Sequence, residues 1–413
     1  MNHSPLSLFE AFGIELEYML VDRETLDVRS QADTLLSELS GRPGASDYES
    51  GPVTWSNELA RHVVELKTTL PRKKLRSLPS TFETAIAELT PTLDRLNLRL
   101  MPTAMHPWMN PAEETQLWPH ENHEIYTAFD RVFDCRRHGW GNVQSVHLNL
   151  PFSGDDEFAR LHAAVRLLLP ILPALAASSP IVDGQATGRV DTRMEFYASH
   201  CDAVPTLVGP LIPEPIFDEA SYRQQIFAPI AEQMRGHDPA GVMDVEFLNA
   251  RAAIARFDRG SIEIRVMDVQ EYPGADVAIC AAVIAVLKAL VAELPSSLAT
   301  QQQLGTDRLR AILDAVVVGG ERTMIEDAEY FKALGAPVTS CRAGELWRIL
   351  LERVRRDDTA LSTLYAPIEI ICEHGTLATR IRKSLGKKFT RDDLHSVYDQ
   401  LADCLVEGHP FRS

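Results

Sequence analysis

The stretch "GIELEYMLVD" (residues 13–22) decides how the rest of the chain is read. Ile14, Leu16, Tyr18 and Leu20 alternate on one face of a strand, so Glu15 and Glu17 project together from the other. Like charges at i and i+2 lie only about 7 Å apart. Crowded carboxylates need cations beside them, or one must take up a proton.

The same oddity recurs in three further segments. In "RHVVELKTTL" (61–70), Glu65 and Lys67 oppose Val64 and Leu66. In "GNVQSVHLNLPF" (141–152), Ser145, His147 and Asn149 oppose Val146, Leu148 and Leu150. In "AAIARFDRGSIEIRVMDVQ" (252–270), with "DRG" as a hairpin turn, Ser261, Glu263 and Arg265 oppose Ile262, Ile264 and Val266. One such strand is ordinarily half-exposed in an antiparallel sheet. Four that concentrate Glu, His, Asn and Arg between apolar neighbours predict a shared sheet whose polar faces line one concavity.

Around these strands the pattern predicts a strand start near residue 11 and a loop or lid over 40–59. It also predicts a helix over 79–98 with Ser80 as N-cap and Glu83 at capping-box spacing. A strand through "LRLMPTAMHPW" (98–108), a helix over 155–178 and an irregular stretch over 180–215 follow. After Pro273 the periodicity is helical. The expected fold class is α+β: a curved, largely antiparallel sheet (1–275) forming a concave active site, helices on its other face, and a helical region (276–413) packed on the same domain.

Composition narrows the function. The 413 residues are 45% hydrophobic and 24% charged, as in a globular protein with a sizeable core, and the net charge of −17 argues against non-specific nucleic-acid binding. Six scattered cysteines with no CxxC pair suggest neither a disulfide framework nor a zinc site, and fit reduced thiols in the cytoplasm. The N-terminal "MNHSPLSLFEAFGIELE" has no basic and no apolar signal region. "VRLLLPILPALAASSP" (165–180) and "VAICAAVIAVLKALVAEL" (277–294), interrupted by prolines and by Lys288, fall short of the ~20 residues of a membrane span and read as buried helices. The long apolar helices leave surface for a homodimer.

Oxygen-rich donors with one histidine and no thiolate suit Mg²⁺ or Mn²⁺. Arg265, two residues from Glu263, offers a planar fork for a phosphate oxygen. No GxxxxGK[ST] and no GxGxxG follows a strand, so ATP, if bound, is bound on a sheet face through metals.

"GIELEYMLVD", "VVELKT", "SVHLNLPF" and "SIEIRVMD", in that order, resemble glutamate–cysteine ligase family 2, the carboxylate–amine ligases of the glutamine synthetase-like superfamily. The resemblance implies Glu15, Glu17, Glu65, His147 and Glu263 as metal ligands, Glu65 and Arg265 as catalytic, Asn149 and Arg265 as nucleotide-binding, and Arg193 (alternatively Arg189) on the substrate carboxylate. It implies ATP-dependent activation of a carboxylate, typically the γ-carboxylate of glutamate, and its condensation with an amine such as cysteine. Ser145 departs from the family, where Gln or His is usual. A guanidino-kinase-type phosphotransferase and an inactive binding or regulatory homologue are the alternatives. His106, "HENH" (120–123), the basic runs "PRKKLR" (71–76) and "KSLGKKFTR" (383–391), and the His200–Cys201 pair read as structural or solvated features.

Overall fold

The computed structural model describes residues 6–238 and 241–412; the first five, part of the N-terminal stretch read above, lie outside them. In chain order the strands are β1 (Gly13–Asp22), β2 (Asp47–Ser50), β3 (Val53–Asn57), β4 (Val63–Thr68), β5 (Leu98–Met101), β6 (Ser145–Pro151), β7 (Ile181–Val182), β8 (Gln185–Ala186), β9 (Ala253–Arg256) and β10 (Ser261–Asp268). Eight of them form one antiparallel sheet in the order β2-β3-β4-β1-β6-β10-β9, with β5 paired to the far end of β1. β7 and β8 make a separate ribbon.

Register follows from the alternation, because a slip by one residue would turn every carboxylate into the core. Glu15 lies opposite Lys67 on β4 and His147 on β6, and Glu17 lies opposite Glu65. Glu263 on β10 lies opposite Asn149. The opposite face is apolar. One buried cluster joins Ile14, Leu16, Leu66, Leu148 and Ile264 to Phe82 of helix Leu78–Arg95, Val165 of helix Gly154–Leu168 and Val283 of helix Pro273–Val291. Each fully buried aliphatic side chain contributes about 1.5–3 kcal/mol, so burial of this face fixes which way the carboxylates point.

Several boundaries differ from the sequence reading. The stretch 40–59 is not a loop: it holds the β2–β3 hairpin, with Gly51 at φ 60° in the turn and Trp55 buried. Gly51 and Pro52 are the turn between two strands rather than the mark of an irregular segment. The first long helix begins at Leu78 with Ser77 as its N-cap, and Ser80 lies inside the first turn, donating to the Ser77 carbonyl at 3.1 Å. Pro79 fits there because its missing N–H has no partner to lose. The helix expected over 155–178 runs from Gly154 to Leu168 and continues as short turns around Pro170 and Pro173. The stretch 180–215 contains β7, β8 and the helix Thr192–Ser199, capped by Asp191.

Beyond Pro273 the chain is mostly helical, with one two-stranded ladder, Met324–Ile325 with Cys341–Arg342. Helix Pro273–Val291 has 19 residues and is long and apolar enough to cross a membrane, so length does not exclude it; 89% of its apolar window is buried inside the protein, as in a core helix.

Candidate active site

The register brings four glutamates and a histidine onto the polar face, and a fifth glutamate lines the same cavity. His147 Nδ1 lies 3.1 Å from Glu15 Oε2, and Asn149 Nδ2 donates to Glu15 Oε1 at 3.0 Å. Ser145 donates its backbone N–H at 2.6 Å and its hydroxyl at 2.9 Å to Glu17 Oε2. Ser56 Oγ donates to Glu65 Oε2 at 2.8 Å, and the Lys67 ammonium pairs with the same carboxylate. Arg265 Nη2 donates to Glu263 Oε1 at 2.6 Å. The fifth glutamate, Glu58, follows β3.

Charge is poorly balanced here. Burial raises the Glu15 carboxyl, but the hydrogen bond and charge of His147 outweigh it and hold the group at about 2. Burial would likewise neutralise His147, yet Glu15, Glu17 and Glu263 keep its imidazolium to about 9. Burial and the neighbouring Glu15 and Glu58 push Glu65 well above the usual carboxylate range. Burial and the Glu17 charge push Glu58 up to about 7. Glu65 and Glu58 are therefore the carboxyls driven to hold their protons, and a bound cation would favour their charged forms instead.

Candidate ligand atoms of Glu15, Glu65 and His147 all lie within 4.8 Å of one another. Two carboxylates and an imidazole at that spacing fit a single divalent cation with open positions for water or phosphate oxygens. Glu17 and Glu263 lie on the same face but are held by Ser145 and Arg265, so the five expected ligands divide into a central three and two flanking residues.

The polar face floors a cavity of about 810 Å³ that Glu15, Glu17, Glu65, His147, Glu263, Arg193 and Arg265 all line. Arg193 is the least exposed of them. Its Nε donates to Asp268 Oδ1 at 2.6 Å, its Nη1 reaches the Arg265 carbonyl at 3.4 Å, and its Nη2 has no protein partner. Asp268 also accepts from the Ser178 N–H and the Ser179 hydroxyl. The register shifts between Ile264 and Met267, so Arg265 sits at a β-bulge beside this anchor. Arg189 pairs with Glu195 at 2.8 Å and does not line the cavity, which leaves Arg193 as the better-placed candidate. Asn149 bonds Glu15 rather than lining the cavity, and its Cβ lies 3.1 Å from where a side chain on Gly13 would begin.

Glu58, Ser56, Tyr126 and Arg256 were missed. Glu58 and Ser56 were hidden because 40–59 read as a loop; the Tyr48–Trp55 cross-strand pair is the signal that marks the hairpin. Arg256 lies 4.0 Å from Glu263 and ends β9, an otherwise apolar strand with no alternation to flag it. Other singled-out residues stay structural. His106 Nε2 contacts the Leu26 carbonyl at 2.8 Å, and burial raises the Cys201 thiol far above neutrality. The His120 ring packs 5.2 Å from Trp118. Arg391, in the second basic run, lies 3.6 Å over the Trp108 ring and pairs with Asp27, away from the cavity. Lys73, in the first run, pairs with Glu10.

The family model "Glutamate-cysteine ligase family 2" matches residues 11–400. The chain belongs to this family. It is 33% identical over 352 residues to an uncharacterised protein of Archaeoglobus fulgidus, covering 84% of this chain and 94% of that one. It is 30% identical over 200 residues to a protein of Methylibium petroleiphilum provisionally named glutamate–cysteine ligase 2, a match spanning 46% of this chain and 47% of that one. The fold of this family member is similar to that of the Francisella tularensis glutamate–cysteine ligase solved with AMP, with a TM-score of 0.62 at 12% identity, covering 98% and 90% of the two chains. A bifunctional glutathione synthetase of Pasteurella multocida gives a TM-score of 0.61 at 15% identity over 97% of this chain and 53% of that one.

Proposed function

We propose that this protein is an ATP-dependent carboxylate–amine ligase acting on the γ-carboxylate of glutamate. The observation that carries the reading is the acidic cluster of β1, β4 and β6 beside Arg265 on β10, in a chain of the glutamate–cysteine ligase family.

Glu15, Glu65 and His147, flanked by Glu17 and Glu263, would hold Mg²⁺ or Mn²⁺, which when bound neutralises phosphate charge. Arg265 presents its guanidinium to the transferring phosphoryl group, and Arg193 directs its unpartnered Nη2 to the α-carboxylate of the acid. Asn149 orients Glu15 at the nucleotide end of the site.

In the first step a carboxylate oxygen bonds to the γ-phosphorus, the bond to ADP breaks, and an acyl phosphate forms. In the second, the amine nitrogen bonds to the acyl carbon and phosphate departs. The starting ammonium loses two protons, to the departing phosphate and to solvent. The chain's own residues position and screen charge throughout; no covalent enzyme intermediate is required.

Phosphate release from Mg-ATP, with and without glutamate and a panel of amines, tests the reading, with mass spectrometry for the amide. Release dependent on both acid and amine, with the amide detected, is the expected result. A phosphorylated product released without amide would instead identify a phosphotransferase. No release under any condition would favour a binding protein.

A further inference from the structure

One wall of the cavity does not belong to the charged floor. Helix His123–Phe133 and the turn after it contribute Ile125, Tyr126, Phe129, Trp140 and Val143, all partly exposed and all lining the cavity. Phe129 and Trp140 meet edge to face with ring centroids 5.5 Å apart, and the Trp140 indole N–H is held by the His200 carbonyl at 2.9 Å, which fixes the wall. Tyr126 closes its lower edge, its hydroxyl accepting from Asn57 Nδ2 at 3.2 Å beside Glu58.

This wall offers no cation. Among the described residues of 121–143, none that lines the cavity is basic. Arg136 turns to Asp130, Arg137 donates to the Phe133 carbonyl at 2.6 Å, and His138 pairs with Asp183 at 3.2 Å, all outside the cavity. The His200 ring, 4.8 Å from Trp140, is kept neutral by burial, its basicity lowered to about 4. Of the cations elsewhere in the cavity, Lys67 pairs with Glu65, and Arg256 and Arg259 with Asp258, while in the ligase reading Arg193 and Arg265 are taken up by the acid and the phosphoryl group. A carboxylate carried by the incoming amine would lie against this apolar wall with Glu58 and Glu121 nearby and no cation to pair with.

Resting on the ligase reading, we infer that the amine substrate is a primary amine with an apolar, ring-sized or branched body and no carboxylate, its ammonium towards Glu58 and its body against Ile125, Phe129 and Trp140. Such a cation is attracted by the acidic floor and buries its hydrocarbon against the wall. An α-amino acid such as cysteine satisfies only the first of these.

Matched pairs that differ only in the carboxylate test this directly: 2-phenylethylamine against phenylalanine, and 3-methylbutylamine against leucine, with cysteine alongside. Hydroxylamine, too small to need the wall, traps any acyl phosphate as a hydroxamate and reports the ligase reading separately. The expected result is hydroxamate formation, with kcat/KM roughly tenfold or more higher for the carboxylate-free member of each pair, as an unpaired desolvated charge predicts. In the variant I125K the preference within each pair should shift towards the amino acid. Absence of hydroxamate would overturn the ligase reading. Hydroxamate with a preference for cysteine or the amino acids, with neither member of a pair accepted, or with an unchanged ratio in I125K, would overturn the inference about the amine.

Discussion

Ser145 gives both its backbone N–H and its hydroxyl to one oxygen of Glu17, at 2.6 and 2.9 Å. Ser145 is therefore a holder of a neighbouring carboxylate, and its hydroxyl also lies 3.0 Å from His147 Nε2. S145A leaves the backbone bond and removes the other. It is expected to cost about 1 kcal/mol of stability and to raise the KM for Mg-ATP more than it lowers kcat, which steady-state kinetics and a denaturant melt together would show.

Replacing Glu17 by Gln keeps the shape and removes the charge. Mg-dependent ATP turnover should fall by about 10²-fold or more while the circular dichroism spectrum and melting temperature stay near those of the parent. Turnover retained in E17Q would remove Glu17 from the site.

Burial and the charges of Glu15 and Glu58 push Glu65 well above the usual carboxylate range despite Ser56 and Lys67, so its neutral isostere should help the fold and harm cation binding. E65Q is expected to melt higher than the parent in chelator, and to gain less from millimolar Mg²⁺ or Mn²⁺. Differential scanning calorimetry with and without the cation reads both effects.

The raised value of His147 gives a pH dependence whose sign is fixed. Its folded value of about 9 exceeds the ordinary 6.5, so the stabilisation is fully present below about pH 6.5 and is lost as pH rises through about 9. In chelator, the melting temperature of the parent should fall across that window more steeply than that of H147Q. Equal slopes would show that His147 is not the group responsible.

Arg193 and Asp268 have side chains 1% and 0% exposed. R193M leaves Asp268 charged and buried without its partner, and should cost about 3–5 kcal/mol in a urea melt.

Much of the site was legible because a period of two forces it: once Ile14, Leu16, Val64, Leu66 and Leu148 must be buried, Glu15, Glu17, Glu65 and His147 have one face left to occupy. What escaped depended on partners distant in sequence. Glu58 enters the cluster because Ser56 pairs across to Glu65, and strands of four and five residues joined by Gly51 and Pro52 carry too little pattern to announce that. The bulge at Arg265 was equally invisible, since "SIEIRVMD" alternates without a break and the shift appears only against β6. In the basic run ending at Arg391, the guanidinium is held by Trp108 and Asp27, contacts that no local pattern encodes.

Asp268 grips Arg193, Ser178 and Ser179 from the root of the strand that carries Arg265. On the proposed reading Arg193 meets the acid and Arg265 the phosphoryl group, and the bond from Arg193 Nη1 to the Arg265 carbonyl ties the two positions together. They form a fixed gauge for the length of whatever lies between them. On that reading an acid one methylene shorter would leave one end unengaged, and the choice between homologous dicarboxylates would trace to a buried aspartate behind the site.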